Sequence, residues 1–100
     1  MEEEKVFYSD VKKKLKEYRK MSFSEDIQKD LAKISRKLNV YMKNYDAKWS
    51  YFNLKKVIYD TTLHLKNEVL MGYINRRLGD ELKAFLWSLL LVEREEDNEI

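Results

Sequence analysis

Residues that break helices are almost missing from this chain. Its 100 residues include two glycines, Gly72 and Gly79, and no proline. Strands and hairpins are normally delimited by glycine, proline and other turn residues at short intervals. Because the apolar residues also recur at helical spacing, the sequence predicts an all-α fold. We expect a four-helix bundle-like single domain over residues 1–100, with a long central third helix.

The first predicted helix runs over about residues 3–20. Apolar residues recur along it at spacings of four, four and three, and they are Phe7, Val11, Leu15 and Tyr18. This spacing predicts one buried stripe under a lysine-rich outer face.

A serine is expected to start the second helix. Ser22 with Glu25 three residues later forms a capping box, and Ser24 is an equally good cap. The apolar positions that follow alternate between spacings of four and three, and they are Ile27, Leu31, Ile34, Leu38, Tyr41 and Tyr45. Fewer than three heptads is short for a separate coiled coil, so we expect antiparallel packing against a neighbouring helix of the same chain.

The third predicted helix runs from about Asn53 to Leu78. The stretch before it is ambiguous: Asp46 could cap a new helix, whereas the three rings of segment 49–52 fit a bend with an aromatic plug. It has two apolar faces. Leu54, Ile58, Thr61, Leu65 and Val69 lie on one side, and Tyr59, Leu63, Leu70 and Ile74 on the other. A helix with two apolar faces is expected to be sandwiched between other elements. Gly79 is predicted to end it in the left-handed conformation, and Asp80 to cap the next helix.

The last predicted helix runs over about residues 81–95. Only Lys83 and Ser88 interrupt its apolar run from Leu82 to Val92. Such a helix lies either at the centre of a core or against another chain, and the run is far below the roughly 20 residues that cross a bilayer. We therefore expect a protein interface, with no membrane contact, formed by Leu70, Ile74, Phe85, Trp87, Leu90 and Leu91.

The formal net charge of +2 is small, but the basic residues are unevenly distributed. Residues 11–20 carry six basic side chains against one acidic side chain, Glu17. Such a face could follow a phosphate backbone, and a lysine-rich solvent face is the simpler interpretation. The candidate contacts to DNA or RNA are Lys12, Lys13, Lys16, Arg19 and Lys20, which Arg36, Lys37, Arg76 and Arg77 could extend.

Nothing in the sequence indicates an enzyme. His64 is the single histidine, and Asp60 and Glu68 beside it do not complete a metal site. Nucleophile elbows, phosphate-binding glycine loops and dinucleotide fingerprints are missing. We therefore expect neither catalysis nor a metal or cofactor. The chain has no cysteine, and Met1 leads into three glutamates, so we expect a cytoplasmic protein.

The opening Phe7-Tyr8-Ser9-Asp10-Val11, followed by Leu15 and a lysine-rich helix, resembles a segment of GINS subunits of the replicative helicase assembly. The long helix at Leu54 to Arg77 is similar in placement to the helix that packs those subunits together. This resemblance implies a non-catalytic helical scaffold for replication proteins. The helix that usually precedes this segment in GINS subunits, and their small β-domain, are missing from this sequence. In size and class the chain is also similar to small helical subunits of type III CRISPR complexes, which implies a nucleic-acid contact by the basic helix.

Together these observations predict a non-catalytic interaction or scaffold subunit. It self-associates as a homo-oligomer or docks in a multiprotein complex, which the GINS resemblance would place in DNA replication. The alternative is a small nucleic-acid-binding helical protein that contacts the phosphate backbone through its first helix.

Overall fold

A computed structural model of the chain describes residues 6–43 and 47–93. Four α-helices follow one another as α1 (Tyr8–Arg19), α2 (Glu25–Lys43), α3 (Ala47–Leu70) and α4 (Arg76–Ser88), with a 3₁₀ turn at Leu89–Leu91. Extended pairing within these residues is limited to one isolated parallel bridge between Val6 and Val92. The predicted all-α architecture with a long third helix is confirmed.

Helix α1 is shorter than expected and buries a shorter stripe. Phe7 has an extended backbone, with φ −98° and ψ 140°, and it occupies the N-cap position instead of joining the helix. Its side chain is 50% exposed, whereas Val11, Leu15 and Tyr18 are buried. The predicted start near residue 3 lies outside the described residues.

Ser24, not Ser22, caps α2. The backbone N–H of Ile27 donates to Ser24 Oγ at 3.3 Å, and the Ser24 hydroxyl itself donates to Glu68 Oε2 at 2.8 Å. The predicted stripe is buried from Ile27 through Leu38. Farther along, Met42 is buried while Tyr41 is half-buried, and Tyr45 lies outside the described residues.

Helices α2 and α3 pack antiparallel, as predicted. Contacts between them join Ser24 to Glu68, Asp30 to His64 and Tyr41 to Tyr51, so residue numbers fall along α3 as they rise along α2. Helix α4 and the 3₁₀ turn cover another part of α3. One buried cluster contributed by all four helices forms the core.

The boundary between α3 and α4 differs from the prediction. Helix α3 begins at Ala47 and ends at Leu70, and Gly72, with φ +82°, takes the left-handed conformation expected of Gly79. Two backbone bonds close the turn: the Gly72 N–H donates to the Val69 carbonyl at 3.1 Å and the Tyr73 N–H to the Glu68 carbonyl at 2.9 Å. This is a Schellman arrangement, which favours glycine at the left-handed position because glycine has no β-carbon.

Gly79 has a different role, inside α4. An added Cβ there would lie 2.6 Å from Val69 Cγ2, so glycine lets α4 approach the end of α3 closely. The cap predicted at Asp80 is supplied earlier by Asn75, whose side chain accepts from the Arg77 backbone N–H at 2.8 Å.

The apolar run of residues 82–92 belongs mainly to the core. Its α-helical part ends at Ser88, and the tighter 3₁₀ turn then keeps Leu89 and Val92 directed inward. The buried residues of the run are Leu82, Phe85, Leu86, Leu89 and Val92. Because Lys83, Ala84 and Leu91 are exposed, the segment is amphipathic and does not need a partner on every side.

Candidate interaction surfaces

The predicted interface residues fall into three groups. Ile74 and Phe85 are buried, and Phe85 packs its ring 5.2 Å from that of Tyr18, with Lys14 Nζ 5.5 Å from its centroid. These two residues therefore form part of the core of this chain and are not available to another one. Trp87 and Leu90 are half-buried against the core. Leu70 and Leu91 are exposed, at 75% and 70%.

A larger apolar surface runs along the side of α3 that faces away from the core. We call it the outer stripe, and it consists of Trp49, Phe52, Lys56, Tyr59, Leu63, Lys66 and Leu70. All seven side chains are exposed. Their spacings of three, four, three, four, three and four form an uninterrupted 3.5-residue repeat, which places them within an arc of roughly 100°.

The inner face of α3 lies on the opposite side. Leu54, Ile58, Thr61 and Leu65 are buried there against α2 and α4. The sequence correctly indicates that α3 has two apolar faces, but the prediction that both are covered is wrong within the described residues. Phe52 and Tyr59 remain 56% and 54% exposed, and the predicted aromatic plug does not form, since the Trp49 and Phe52 rings stack at 6.0 Å on the surface.

The predicted nucleic-acid residues are all exposed, four of them on α1 and Lys20 at its C-cap, but they do not all line one cleft. A cleft of about 200 Å³ opens between α1 and α2, and we call it the basic cleft. Its lining residues are Tyr8, Lys12, Leu15, Lys16, Arg19, Ser35, Arg36, Leu38 and Asn39. Lys13 and Lys20 are not among them.

Of the four cations that could extend the patch, only Arg36 lines the basic cleft. Arg76 lies instead in a groove of about 410 Å³ between α3 and α4, with Lys66, Asp80 and Lys83 at its polar edge. Arg77 pairs with Glu81 at 3.6 Å. The sequence alone could not select Arg36, because its distance from α1 depends on how the two helices pack.

His64 is paired with a carboxylate. Its Nδ1 lies 2.6 Å from Asp30 Oδ2. The hydrogen bond to Asp30 raises the His64 pKa above its ordinary value of 6.5, desolvation opposes this rise, and the charges of Asp30, Asp60 and Asp26 add to it. In the part of the chain that the structure describes, no group of three or more His, Asp or Glu side chains could hold a metal ion.

Among the described residues, no helix combines the length and the apolar character needed to cross a membrane. Comparison with protein-family models, with curated proteins and with solved structures gives no match. The resemblance to GINS subunits therefore stays a prediction.

Proposed function

We propose that this chain is a non-catalytic helical interaction subunit that self-associates through the outer stripe of α3. The observation that supports this proposal is the stripe itself, in which a 24-residue helix keeps an uninterrupted heptad face exposed. Five of its seven positions carry large apolar side chains. Single exposed apolar residues are ordinary on a protein surface, whereas a contiguous row of them indicates an interaction site.

The exposed apolar area of the outer stripe is a substantial part of what a dimer buries. A large aromatic side chain has roughly 150 to 250 Å² to bury, so a ring that is half exposed offers on the order of 100 Å². The outer stripe, with Met71 and Tyr73 exposed just beyond it, therefore offers several hundred Å² per chain. Standard interfaces bury about 800 Å² per partner. The flanks of the helix would supply the area that the stripe does not.

The heptad spacing indicates the kind of partner. A stripe with a 3.5-residue repeat packs most regularly against a second helix with the same repeat, because its side chains then fit the holes of the facing helix. A second copy of this chain supplies such a helix. A two-fold axis perpendicular to α3 would use the same stripe on both copies and close the assembly at two chains.

The two lysines within the outer stripe select the register of this dimer. In a parallel pair, each lysine would face the same lysine of the second chain. In an antiparallel pair centred at residue 61, Lys56 would face Lys66 of the second chain. Both arrangements bring like charges together. An antiparallel pair centred between residues 57 and 58 instead places each lysine on an aromatic ring, where a cation is attracted. Its layers are Trp49–Lys66, Phe52–Leu63 and Lys56–Tyr59, and each occurs twice.

Size-exclusion chromatography with light scattering tests the proposal over a range of protein concentrations, at low and high salt. We expect a species of twice the 12.2 kDa chain mass that persists in 1 M salt. Leu63→Asn should shift it to monomer without loss of helical circular dichroism. The matched control is Val40→Asn, which removes an exposed apolar side chain from α2, outside the stripe. A monomeric wild-type chain at every concentration would overturn self-association.

Cross-linking tests the register, since the chain contains no cysteine. A mixture of the variants Phe52→Cys and Leu63→Cys should form a disulfide-linked dimer on mild oxidation, and each variant alone should not. The control mixture, Phe52→Cys with Leu70→Cys, would cross-link instead if the axis lay at residue 61. Preferential cross-linking of the control mixture would reject the register and leave self-association intact.

A further inference from the structure

The basic cleft concentrates positive charge between two helices. Lys12, Lys16 and Arg19 extend from α1 at spacings of four and three, which places them along one side of that helix. Arg36 comes from α2 on the opposite wall. None of the residues that line the cleft is acidic. The four cations therefore face a shared space with no carboxylate among its lining residues.

No ion pair among the described residues neutralises these cations. Within residues 6–43 and 47–93, the ion pairs join Lys29 to Glu25, His64 to Asp30 and Arg77 to Glu81. None of the four cleft cations takes part in one. Bringing four like charges together costs free energy through self-repulsion, and a bound anion would offset this cost.

The walls of the cleft are held in place by packing and by a hydrogen bond. Leu15 and Leu38 are buried at its base. The Tyr8 hydroxyl donates to Asn39 Oδ1 at 2.9 Å and so joins the start of α1 to α2, while Lys12 Nζ lies 5.0 Å from the centre of the Tyr8 ring. Fixed walls mean that less ordering is required when a ligand binds.

We propose that the basic cleft binds consecutive phosphate groups of a nucleic-acid strand. Lys12 and Arg19 are seven residues apart, or about 10 Å along the helix axis. A phosphate backbone places negative charges at short, regular intervals along its length, so a row of this length spans more than one phosphate. A row of cations of this length fits repeating phosphates better than a single phosphate group.

The arginines and lysines would contribute differently. Arg19 and Arg36 present planar forks that match two phosphate oxygens, whereas Lys12 and Lys16 act as point charges. Binding of this kind does not read base sequence, because phosphates are the same at every position. The basic cleft uses α1 and α2, so this activity is independent of the self-association proposed for α3.

Fluorescence anisotropy with labelled single-stranded 20-nucleotide DNA and RNA tests the proposal. For three to four phosphate contacts, the salt slope of about −0.7 per contact predicts a loss of affinity of roughly 20- to 50-fold between 50 and 200 mM NaCl. The double variant Lys16→Glu/Arg36→Glu should weaken binding at least about tenfold. All the changed side chains are exposed, and circular dichroism checks that the fold is retained.

The matched control is Lys13→Glu/Lys20→Glu, which changes the net charge by the same amount on exposed positions outside the cleft. It should retain binding within about threefold. Equal weakening by both double variants would overturn the cleft in favour of diffuse attraction, and absence of salt-dependent binding would overturn it altogether. Two further probes, millimolar inorganic phosphate and vesicles containing phosphatidylserine, identify the source of phosphate. Tight binding to either one without binding to the oligonucleotides would reject nucleic acid as the ligand.

Discussion

The two faces of α3 are nearly equal in apolar content and opposite in environment. Leu65 on the inner face is 2% exposed, while Leu63, two residues earlier on the outer stripe, is 44% exposed. Both faces show helical periodicity, so the pattern that predicts burial is equally present on the two sides. Helical periodicity therefore indicates which faces of α3 are apolar. Which of these faces becomes buried depends on how many other helices the chain has to cover them.

The largest expected effect compares these two leucines directly. Leu65→Ala removes a buried side chain from the core, and we expect it to lower the free energy of unfolding by about 2 to 5 kcal/mol. Leu63→Ala should change it by about 0.5 kcal/mol or less, because solvent already reaches that side chain. Denaturant unfolding at low protein concentration, where chains are separate, measures both. Equal losses for the two variants would mean that the outer stripe is already covered within one chain.

A second, smaller effect tests how closely α4 covers the end of α3. A methyl group at position 79 would meet Val69 Cγ2 at 2.6 Å, so Gly79→Ala forces a local shift. Overpacking costs about 1 to 3 kcal/mol, and the better helix propensity of alanine returns up to about 1 kcal/mol. We therefore expect a net loss of about 1 kcal/mol in denaturant unfolding.

The neighbouring valine provides the control for this variant. When Val69→Ala is present, the obstructing methyl group is gone, and Gly79→Ala should become neutral or slightly stabilising. The difference between the two backgrounds measures the contact itself. Additive effects of the two substitutions would place the cause of the loss elsewhere in α4.

How far the sequence predicts this fold depends on the range of each interaction. The stripes of α1 and α2 follow from local spacing, so they are predicted correctly from Val11 to Tyr18 and from Ile27 to Leu38. The short connection between α2 and α3 likewise favours their antiparallel pairing. The turn after α3 is misassigned because both glycines suit a left-handed position. The choice of Gly72 depends on where the chain must reverse for α4 to pack against Val69, which is a tertiary constraint.

The interaction surfaces follow the same division. Phe85 and Ile74 are large apolar residues of the kind that anchor interfaces, yet both are buried in the core. The reason is that α4 packs onto the other helices of the same chain. Arg36 joins the α1 cations only through the packing of two helices. The outer stripe does have a signal in the sequence, namely the repeat of three and four from Trp49 to Leu70, but this signal competes with the equally regular inner face.

The smallest expected effect lies at the border between the two faces of α3, where His64 contacts Asp30 of α2. The hydrogen bond to Asp30 raises the folded-state pKa of His64 above its unfolded value near 6.5. The stabilisation is therefore fully present below about pH 6.5 and is lost as the pH rises through the raised pKa. Because the His64 side chain is 52% exposed, solvent screening limits the effect to about 0.5 kcal/mol. Unfolding at pH 5.5 and pH 8.5 should show a decrease in stability toward high pH that is larger in the wild-type chain than in His64→Gln or Asp30→Asn. The same decrease in all three proteins would mean that this pair does not couple α3 to α2.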